Sequence, residues 1–138
     1  MSDQVRTGGC LCGAVRYRTS GSVRPVISCH CEQCRRTSGH HVAASASCHA
    51  DFELTEDRGL TWYRSSDWAQ RGFCSTCGSS LFYQFKDADE ISIHAGTFDQ
   101  PSGLRRGAHI FTADLADYYD LTDDLPQFPD HNHDVTDW

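Results

Sequence analysis

Seven of the eight cysteines in this 138-residue chain lie in three tight clusters, and this arrangement limits the possible folds most. The clusters are Cys10 and Cys12, then Cys29, Cys31 and Cys34, and finally Cys74 and Cys77. Short turns with these spacings direct several sulfurs at one point, as a soft divalent metal such as zinc requires. Disulfides are the alternative, but closely spaced pairs suit a metal better than bridges across the chain. The spacing therefore predicts a domain built around metal sites.

The ends of the chain bear on its compartment and partners. Residues 1–7 contain no apolar stretch, and no run in the sequence approaches 18 apolar residues. We therefore expect neither a secretory signal nor a membrane span, and we predict a cytoplasmic protein, where thiols stay reduced. Residues 1–128 are predicted to form a single zinc-binding domain, followed by an acidic tail at residues 129–138.

The charge of the chain is concentrated near its C-terminal end. The formal net charge is −7, and residues 114–138 contain eight aspartates and no lysine or arginine, which leaves +1 for residues 1–113. Binding of nucleic acid requires a basic surface, so an acidic end argues against it. We expect neither nucleic acid nor a membrane as a partner.

Short runs of alternating apolar and polar residues, separated by turns, predict a mainly β, antiparallel fold with short helical turns. Strands are expected at residues 15–19, 26–28, 42–48, 52–55, 60–63, 81–85, 91–95 and 109–111, with 52–55 and 60–63 paired as a hairpin. Residues 32–38 are expected to form one or two helical turns that end at Gly39. A further helical turn is expected at residues 115–119, and the chain after Pro126 is expected to be extended or loosely attached.

Two of the cysteine pairs lie far apart in the chain but together form a complete ligand set. Cys10 and Cys12 near the start, with Cys74 and Cys77 far along the chain, would supply four sulfurs to one zinc ion. A four-cysteine site has no position left for a substrate, so we expect this site to be structural. Free buried cysteines are the alternative, but they do not explain two closely spaced pairs.

The central cluster provides three sulfurs within six residues, which leaves one ligand position of a tetrahedral zinc for a substrate. Cys29, Cys31 and Cys34 are therefore the candidate catalytic residues. A fourth protein ligand would instead make this site structural as well, and the residues considered for that role are His30, His40, His41, Cys48, His49 and His94. Cys48 is otherwise expected to be a small buried residue at the end of a strand.

Three thiolates around one zinc ion favour a particular chemistry. The three thiolates carry a charge of −3, against +2 on the zinc ion. Electron-rich sulfurs also reduce the Lewis acidity of the zinc, so hydrolysis by a zinc-activated water is disfavoured. A substrate thiol is a natural fourth ligand, and coordination would present its sulfur as a nucleophile. Arg35 and Arg36 follow the cluster and would offset the negative charge or bind a substrate carboxylate. Their alternative role is that of a solvated helix face.

The chain resembles the glutathione-dependent formaldehyde-activating enzymes, a family that also includes the centromere protein V proteins. The resemblance is carried by four motifs, Gly9-Cys10-Leu11-Cys12-Gly13-Ala14-Val15-Arg16-Tyr17, Cys29-His30-Cys31-Glu32-Gln33-Cys34-Arg35-Arg36-Thr37-Ser38-Gly39, Arg71-Gly72-Phe73-Cys74-Ser75-Thr76-Cys77-Gly78-Ser79-Ser80-Leu81 and Ala95-Gly96-Thr97-Phe98-Asp99, with His109-Ile110-Phe111 in the closing segment. It implies a β-tent-like fold with two zinc ions per chain.

The same resemblance implies roles for the cysteines and an activity. Cys10, Cys12, Cys74 and Cys77 would hold the structural zinc, and Cys29, Cys31 and Cys34 the catalytic zinc. The implied activity is carbon–sulfur lyase chemistry that joins glutathione to formaldehyde, giving S-hydroxymethylglutathione, with a small-molecule thiol and an aldehyde as partners. His40 and His41 depart from the family pattern and would change the pocket or supply a ligand.

Two other functions compete with the enzyme. The first is a non-catalytic zinc-binding scaffold for a protein partner, and the second is a redox or metal-handling role for exposed thiols. Only the density of cysteines supports the redox role.

Overall fold

A computed structural model describes residues 4–131 of the chain, and strands dominate it. The strands are β1 (Val5–Gly9), β2 (Arg16–Ser20), β3 (Val26–Cys29), β4 (Val42–Cys48), β5 (Phe52–Glu56), β6 (Leu60–Arg64), β7 (Ala69–Cys74), β8 (Ser80–Phe85), β9 (Glu90–His94) and β10 (Arg106–Ile110). The helix α1 spans Glu32–Ser38, and short 3-10 turns lie at His49–Asp51, Ala95–Thr97 and Thr112–Asp114.

The strands form two sheets. One has three strands in the order β1-β2-β5, and the other has seven in the order β10-β3-β4-β9-β8-β7-β6. Every pair is antiparallel except β10 with β3, which run parallel. The predicted mainly β, antiparallel fold with short helical turns is confirmed, with this one parallel pair as an addition.

Aromatic side chains fill the space where the two sheets meet. Tyr17 of β2 is 1 % exposed, and its ring centroid lies 5.6 Å from that of Phe82 on β8 and 5.7 Å from that of Phe52 on β5. The tyrosine hydroxyl is 2.7 Å from Oγ1 of Thr97, so its polar atom is paired inside the core. Such contacts add about 0.5–1.5 kcal/mol per aromatic pair beyond the burial of area. Both sheets therefore contribute side chains to a single core.

The predicted hairpin over residues 52–63 is wrong. β5 pairs with β2 in the small sheet, whereas β6 pairs with β7 in the large one. The turn between them is held against other segments, because the Gly59 amide donates to the Ala14 carbonyl (3.0 Å) and the Gly59 carbonyl accepts from the Ser75 amide (2.9 Å). These long-range bonds separate two strands that are neighbours in sequence.

Helix α1 confirms the prediction for residues 32–38. Its N-cap is Cys31, whose sulfur accepts a hydrogen bond from the backbone N–H of Cys34. It ends at Gly39, which adopts the left-handed conformation (φ 86°) and donates its N–H to the Arg35 carbonyl at 2.8 Å. Glycine suits this position because it has no Cβ to clash. Within residues 4–131, no helix is long and apolar enough to cross a membrane.

The C-terminal part differs from the prediction in two respects. The helical turn expected at residues 115–119 is not formed, and a 3-10 turn lies upstream at Thr112–Asp114. The chain after Pro126 is not loosely attached, because Pro126 and Phe128 hydrogen-bond to both backbone groups of His109 on β10 (2.9 Å each). The last residues of the expected tail, 132–138, lie outside the described residues. The division between domain and tail at residue 128 stays a prediction.

The turn that separates β5 from β6 generates a test of packing. A Cβ at Gly59 would lie 2.7 Å from Cβ of Ala14 and 2.9 Å from Sγ of Cys74, closer than real atoms approach. We expect Gly59→Ala to lower the free energy of unfolding by about 1–3 kcal/mol, the usual cost of overpacking. Gly96→Ala is the control, because a Cβ there meets no atom within 4 Å. Equal urea midpoints for the two variants would show that the turn is not tightly packed.

Candidate metal centres and active site

The backbone around α1 brings three sulfurs together, here called the three-sulfur group (Cys29, Cys31 and Cys34). Cys29 ends β3, Cys31 caps α1, and Cys34 lies in the first turn of the helix. The Cys31 sulfur accepts a hydrogen bond from the Cys34 backbone N–H at 3.3 Å, which fixes the cap. The three sulfur atoms lie within 4.8 Å of one another. They could hold a metal ion, and soft thiolates favour zinc over magnesium or calcium.

Within residues 4–131, no fourth histidine, cysteine or acidic side chain joins this group. The residues considered as a fourth ligand, His30, His40, His41, Cys48, His49 and His94, therefore lie outside it. Cys48 is exposed at the end of β4, so its expected burial is wrong. Zinc commonly takes four ligands, and the described part of the chain supplies three of them here.

The distant cysteine pairs meet in a second cluster, here called the four-sulfur group (Cys10, Cys12, Cys74 and Cys77). Its sulfurs all lie within 4.8 Å of one another. Sγ of Cys12 is 3.7 Å from Sγ of Cys10 and also 3.7 Å from Sγ of Cys74. A tetrahedron with Zn–S distances of about 2.3 Å has sulfur–sulfur edges of about 3.8 Å. The spacing fits a four-cysteine zinc site.

The four-sulfur group links the turn between β1 and β2 with the turn between β7 and β8. Cys10 and Cys74 are buried in the core, and Cys12 is exposed at the surface. The Cys10 sulfur accepts a hydrogen bond from the Val15 N–H at 3.2 Å. Gly78 has φ 82° and donates to the Cys74 carbonyl at 2.7 Å, which closes the second turn. Both turns are thus held with their sulfurs facing one point.

Hydrogen bonds and charge favour the thiolate form at Cys31, whereas the pKa of Cys29, beside Cys31, and that of Cys34 are raised. Hydrogen bonds from the thiols of Cys29 and Cys34 lower the pKa of Cys31 to about 2, and the charge of Arg71 acts in the same direction. Nη2 of Arg71 lies 3.7 Å from Sγ of Cys34. Thiolates are the form that binds metals. A thiolate at Cys31 gives the group a negative charge that suits a cation.

The two arginines singled out in the sequence lie on the helix. Nε of Arg36 donates to Oε2 of Glu32 at 2.9 Å, and both side chains are about two-thirds exposed. Such an exposed pair at i and i+4 contributes about 0.3–0.5 kcal/mol. Arg35 precedes it in the last turn of α1 and is half-buried. Their contact with a substrate stays a prediction.

Sequence reasoning missed the arginine that contacts a sulfur. Arg71 lies on β7 and is 9 % exposed, and it also donates from Nη2 to Oε1 of Gln33 at 3.0 Å. It occurs in the Arg71-Gly72-Phe73-Cys74 run of the sequence, and 37 residues separate it from Cys34. The signal available in the sequence was its place in the motif that begins with Arg71 and carries the resemblance to the family.

A chain of hydrogen bonds fixes His30, the residue between Cys29 and Cys31. Nε2 of His30 lies 2.9 Å from Nδ1 of His109, and Nε2 of His109 lies 2.9 Å from Oδ2 of Asp123. The Tyr119 hydroxyl lies 3.0 Å from Nδ1 of His30. Both ring nitrogens of His30 therefore have partners, which accounts for its position outside the three-sulfur group.

A groove of about 690 Å³ opens between the sheets, away from both sulfur groups. Its walls include the aromatic residues Phe52, Trp62, Trp68 and Phe85, and none of its lining residues is a cysteine. The chemistry suggested by the cysteines thus lies outside this groove.

Comparison with known proteins agrees with this geometry. Residues 5–114 match the family model described as glutathione-dependent formaldehyde-activating enzyme. A Schizosaccharomyces pombe protein named as an uncharacterized lyase is 28 % identical over 122 residues, which is 88 % of each chain. A crystal structure of a Rhodobacter sphaeroides protein has a TM-score of 0.57 at 24 % identity, covering 70 % of this chain and 91 % of that one, and shows a shared fold. The family match spans most of the sequence. The chain therefore belongs to the glutathione-dependent formaldehyde-activating enzyme family.

Proposed function

We propose that this protein is a zinc-dependent carbon–sulfur lyase that joins or cleaves a glutathione-like thiol and a small aldehyde such as formaldehyde. The family supports a formaldehyde-activating role, and the relative named as a lyase supports that class of enzyme. The proposed partners are small molecules, and the proposed compartment is the cytoplasm.

Two zinc ions per chain are part of the proposal. Cys10, Cys12, Cys74 and Cys77 would hold a structural ion, and Cys29, Cys31 and Cys34 a catalytic one. A zinc ion in the three-sulfur group would lower the pKa of a substrate thiol and so supply a nucleophilic sulfur at neutral pH.

The observation that carries the proposal is the difference in ligand number between the two groups. One has four sulfurs, and the other has three with no fourth protein ligand within residues 4–131. Closed tetrahedral sites are structural, whereas sites with three protein ligands accept water or a substrate. The three-sulfur group is therefore the place for chemistry.

The residues of the chain supply charge balance and orientation around the proposed site. Arg71 places a cation beside the Cys34 sulfur, which offsets the excess negative charge of three thiolates. Arg35 and Arg36, on the adjoining helix, are proposed to bind carboxylates of an acidic thiol such as glutathione, because guanidinium groups bind carboxylates in a bidentate manner.

Removal of single sulfurs separates the proposed structural site from the catalytic one. We expect Cys74→Ala and Cys10→Ala to abolish soluble folding, because binding of structural zinc contributes on the order of 10 kcal/mol to small domains. Cys31→Ala is expected to leave a folded protein with about half the zinc, since the other site remains complete. Zinc per chain, from elemental analysis of the soluble fraction, measures this. Equal loss of solubility in all three variants would contradict the assignment.

Binding of a thiol tests the proposed enzyme directly. We expect glutathione to change the thiolate-to-metal absorption of the cobalt-substituted protein and, with ¹³C-formaldehyde, to give the hydroxymethyl adduct faster than in buffer. Cys48→Ala is the matched control, because this exposed cysteine lies in neither sulfur group. S-methylglutathione, which has no thiol, should leave the spectrum unchanged. An unchanged spectrum with glutathione, and no faster adduct formation, would favour a non-catalytic zinc scaffold.

A further inference from the structure

Three neighbouring strands place polar side chains on one face of the large sheet. Arg71 on β7 is directly opposite Tyr83 on β8, and Tyr83 is opposite Ser92 on β9. Residues opposite each other across a strand pair share a face, and so do residues two apart along a strand. His94, two residues after Ser92, therefore lies on the same face as Arg71 and Tyr83.

This face is the one that carries the three-sulfur group. His94 is opposite Ala44 on β4, and the buried Ala44 belongs to the same packed cluster as Cys34. Arg71, on β7, also contacts the three-sulfur group, with Nη2 at 3.7 Å from Sγ of Cys34. The sulfurs thus lie beside a surface that presents a guanidinium, a phenol and an imidazole.

Hydrogen-bonding groups on this face have no protein partner. Arg71 is only 9 % exposed, and its buried Nε makes no hydrogen bond. Within residues 4–131, the Tyr83 hydroxyl and the His94 ring also have no hydrogen-bond partner. Buried polar groups are almost always paired, and an unpaired one costs about 1–3 kcal/mol. One buried unpaired donor, Nε of Arg71, beside two half-buried side chains with free hydrogen-bonding groups indicates a position for a polar substrate atom.

The state of each group at neutral pH is that of a hydrogen-bond donor. Arginine stays protonated, and its guanidinium lies over the Tyr83 ring, 5.0 Å from the centroid. Burial and, to a smaller extent, the charge of Arg71 lower the pKa of His94 to about 4. A neutral imidazole keeps one N–H to donate. Donors held in place before reaction stabilise developing negative charge most effectively.

We propose that Arg71 and His94 bind the oxygen of the aldehyde and stabilise the oxyanion that forms during addition of the thiol. This inference rests on the proposed function. The sulfur lone pair forms the S–C bond, and the carbonyl π electrons move to oxygen. The oxygen then takes up one proton from solvent, which balances the proton that the thiol releases to solvent. The reverse reaction follows the same steps backwards.

The position of Arg71 selects the aldehyde oxygen over a carboxylate of the thiol substrate. In a thiol–aldehyde adduct the oxygen is two bonds from the sulfur, so a donor next to the sulfurs reaches it. The carboxylates of a peptide-like thiol are separated from its sulfur by several more bonds. Arg71 is also 9 % exposed, so only a small part of its surface is open to a ligand. The site is therefore built for small aldehydes.

Variants of the zinc-loaded protein test this assignment. We expect Arg71→Ala to lower kcat for adduct formation about 10²–10³-fold, as removal of an oxyanion donor does. The KM for glutathione is expected to change less than about 10-fold. Added methylguanidinium should restore part of kcat in Arg71→Ala, and His94→Phe should lower kcat without a response to it. Arg18→Ala is the control, because Arg18 is half-exposed and paired with Glu53 on the small sheet.

A readout that does not depend on turnover completes the test. Calorimetry should show that the zinc-loaded wild-type protein binds S-hydroxymethylglutathione more tightly than S-methylglutathione, and that Arg71→Ala abolishes this preference. Unchanged kcat in both variants, or an unchanged preference in Arg71→Ala, overturns the oxyanion assignment while the proposed function stands. If the wild-type protein neither binds a thiol nor forms the adduct, the proposed function fails, and this inference fails with it.

Discussion

Convergence of four sulfurs from two distant turns is the constraint on which the rest of the structure depends. Cys12 and Cys74 are 62 residues apart in sequence, yet their sulfurs lie 3.7 Å apart. The small sheet has three strands, and its buried Tyr17 packs against Phe82 of the large sheet. The four-sulfur group joins the end of that sheet to the end of β7, and Cys10 and Cys74 are themselves part of the core. A metal ion in the four-sulfur group would couple its binding to the packing of the sheets, because each sets the geometry that the other needs.

The three-sulfur group is built locally, and this explains its different ligand number. Six residues supply all three sulfurs through a strand end, a helix cap and the first helical turn. A fourth ligand would have to come from another segment. The closest histidine in sequence, His30, has its two ring nitrogens occupied by His109 and Tyr119. Hydrogen bonds to the C-terminal part of the chain thus keep the His30 imidazole outside the three-sulfur group.

Local signals in the sequence predict much of this molecule, and non-local contacts account for what they miss. The cysteine spacings predicted both sulfur groups, and Gly39 predicted the end of α1, because each depends on a few consecutive residues. The hairpin prediction failed because Gly59 bonds to Ala14 and Ser75, which no local pattern reveals. Arg71 was missed for the same reason: its contact with Cys34 spans 37 residues. The grouping of the sulfurs was therefore easier to predict than the side chains that surround them.

Burial determines which arginine has the stronger electrostatic effect on the sulfurs. Three thiolates exceed the charge of one zinc ion by one, and a substrate thiolate would add another negative charge. Arg36 is mostly exposed and faces Glu32, so water and a neighbouring carboxylate weaken its field at the sulfurs. Arg71 lies beside Cys34 and is shielded from solvent, where the effective dielectric constant is lower and the same charge acts more strongly. The charge that acts on the three-sulfur group is thus set more by Arg71 of the sheet than by Arg36 of the helix that carries Cys34.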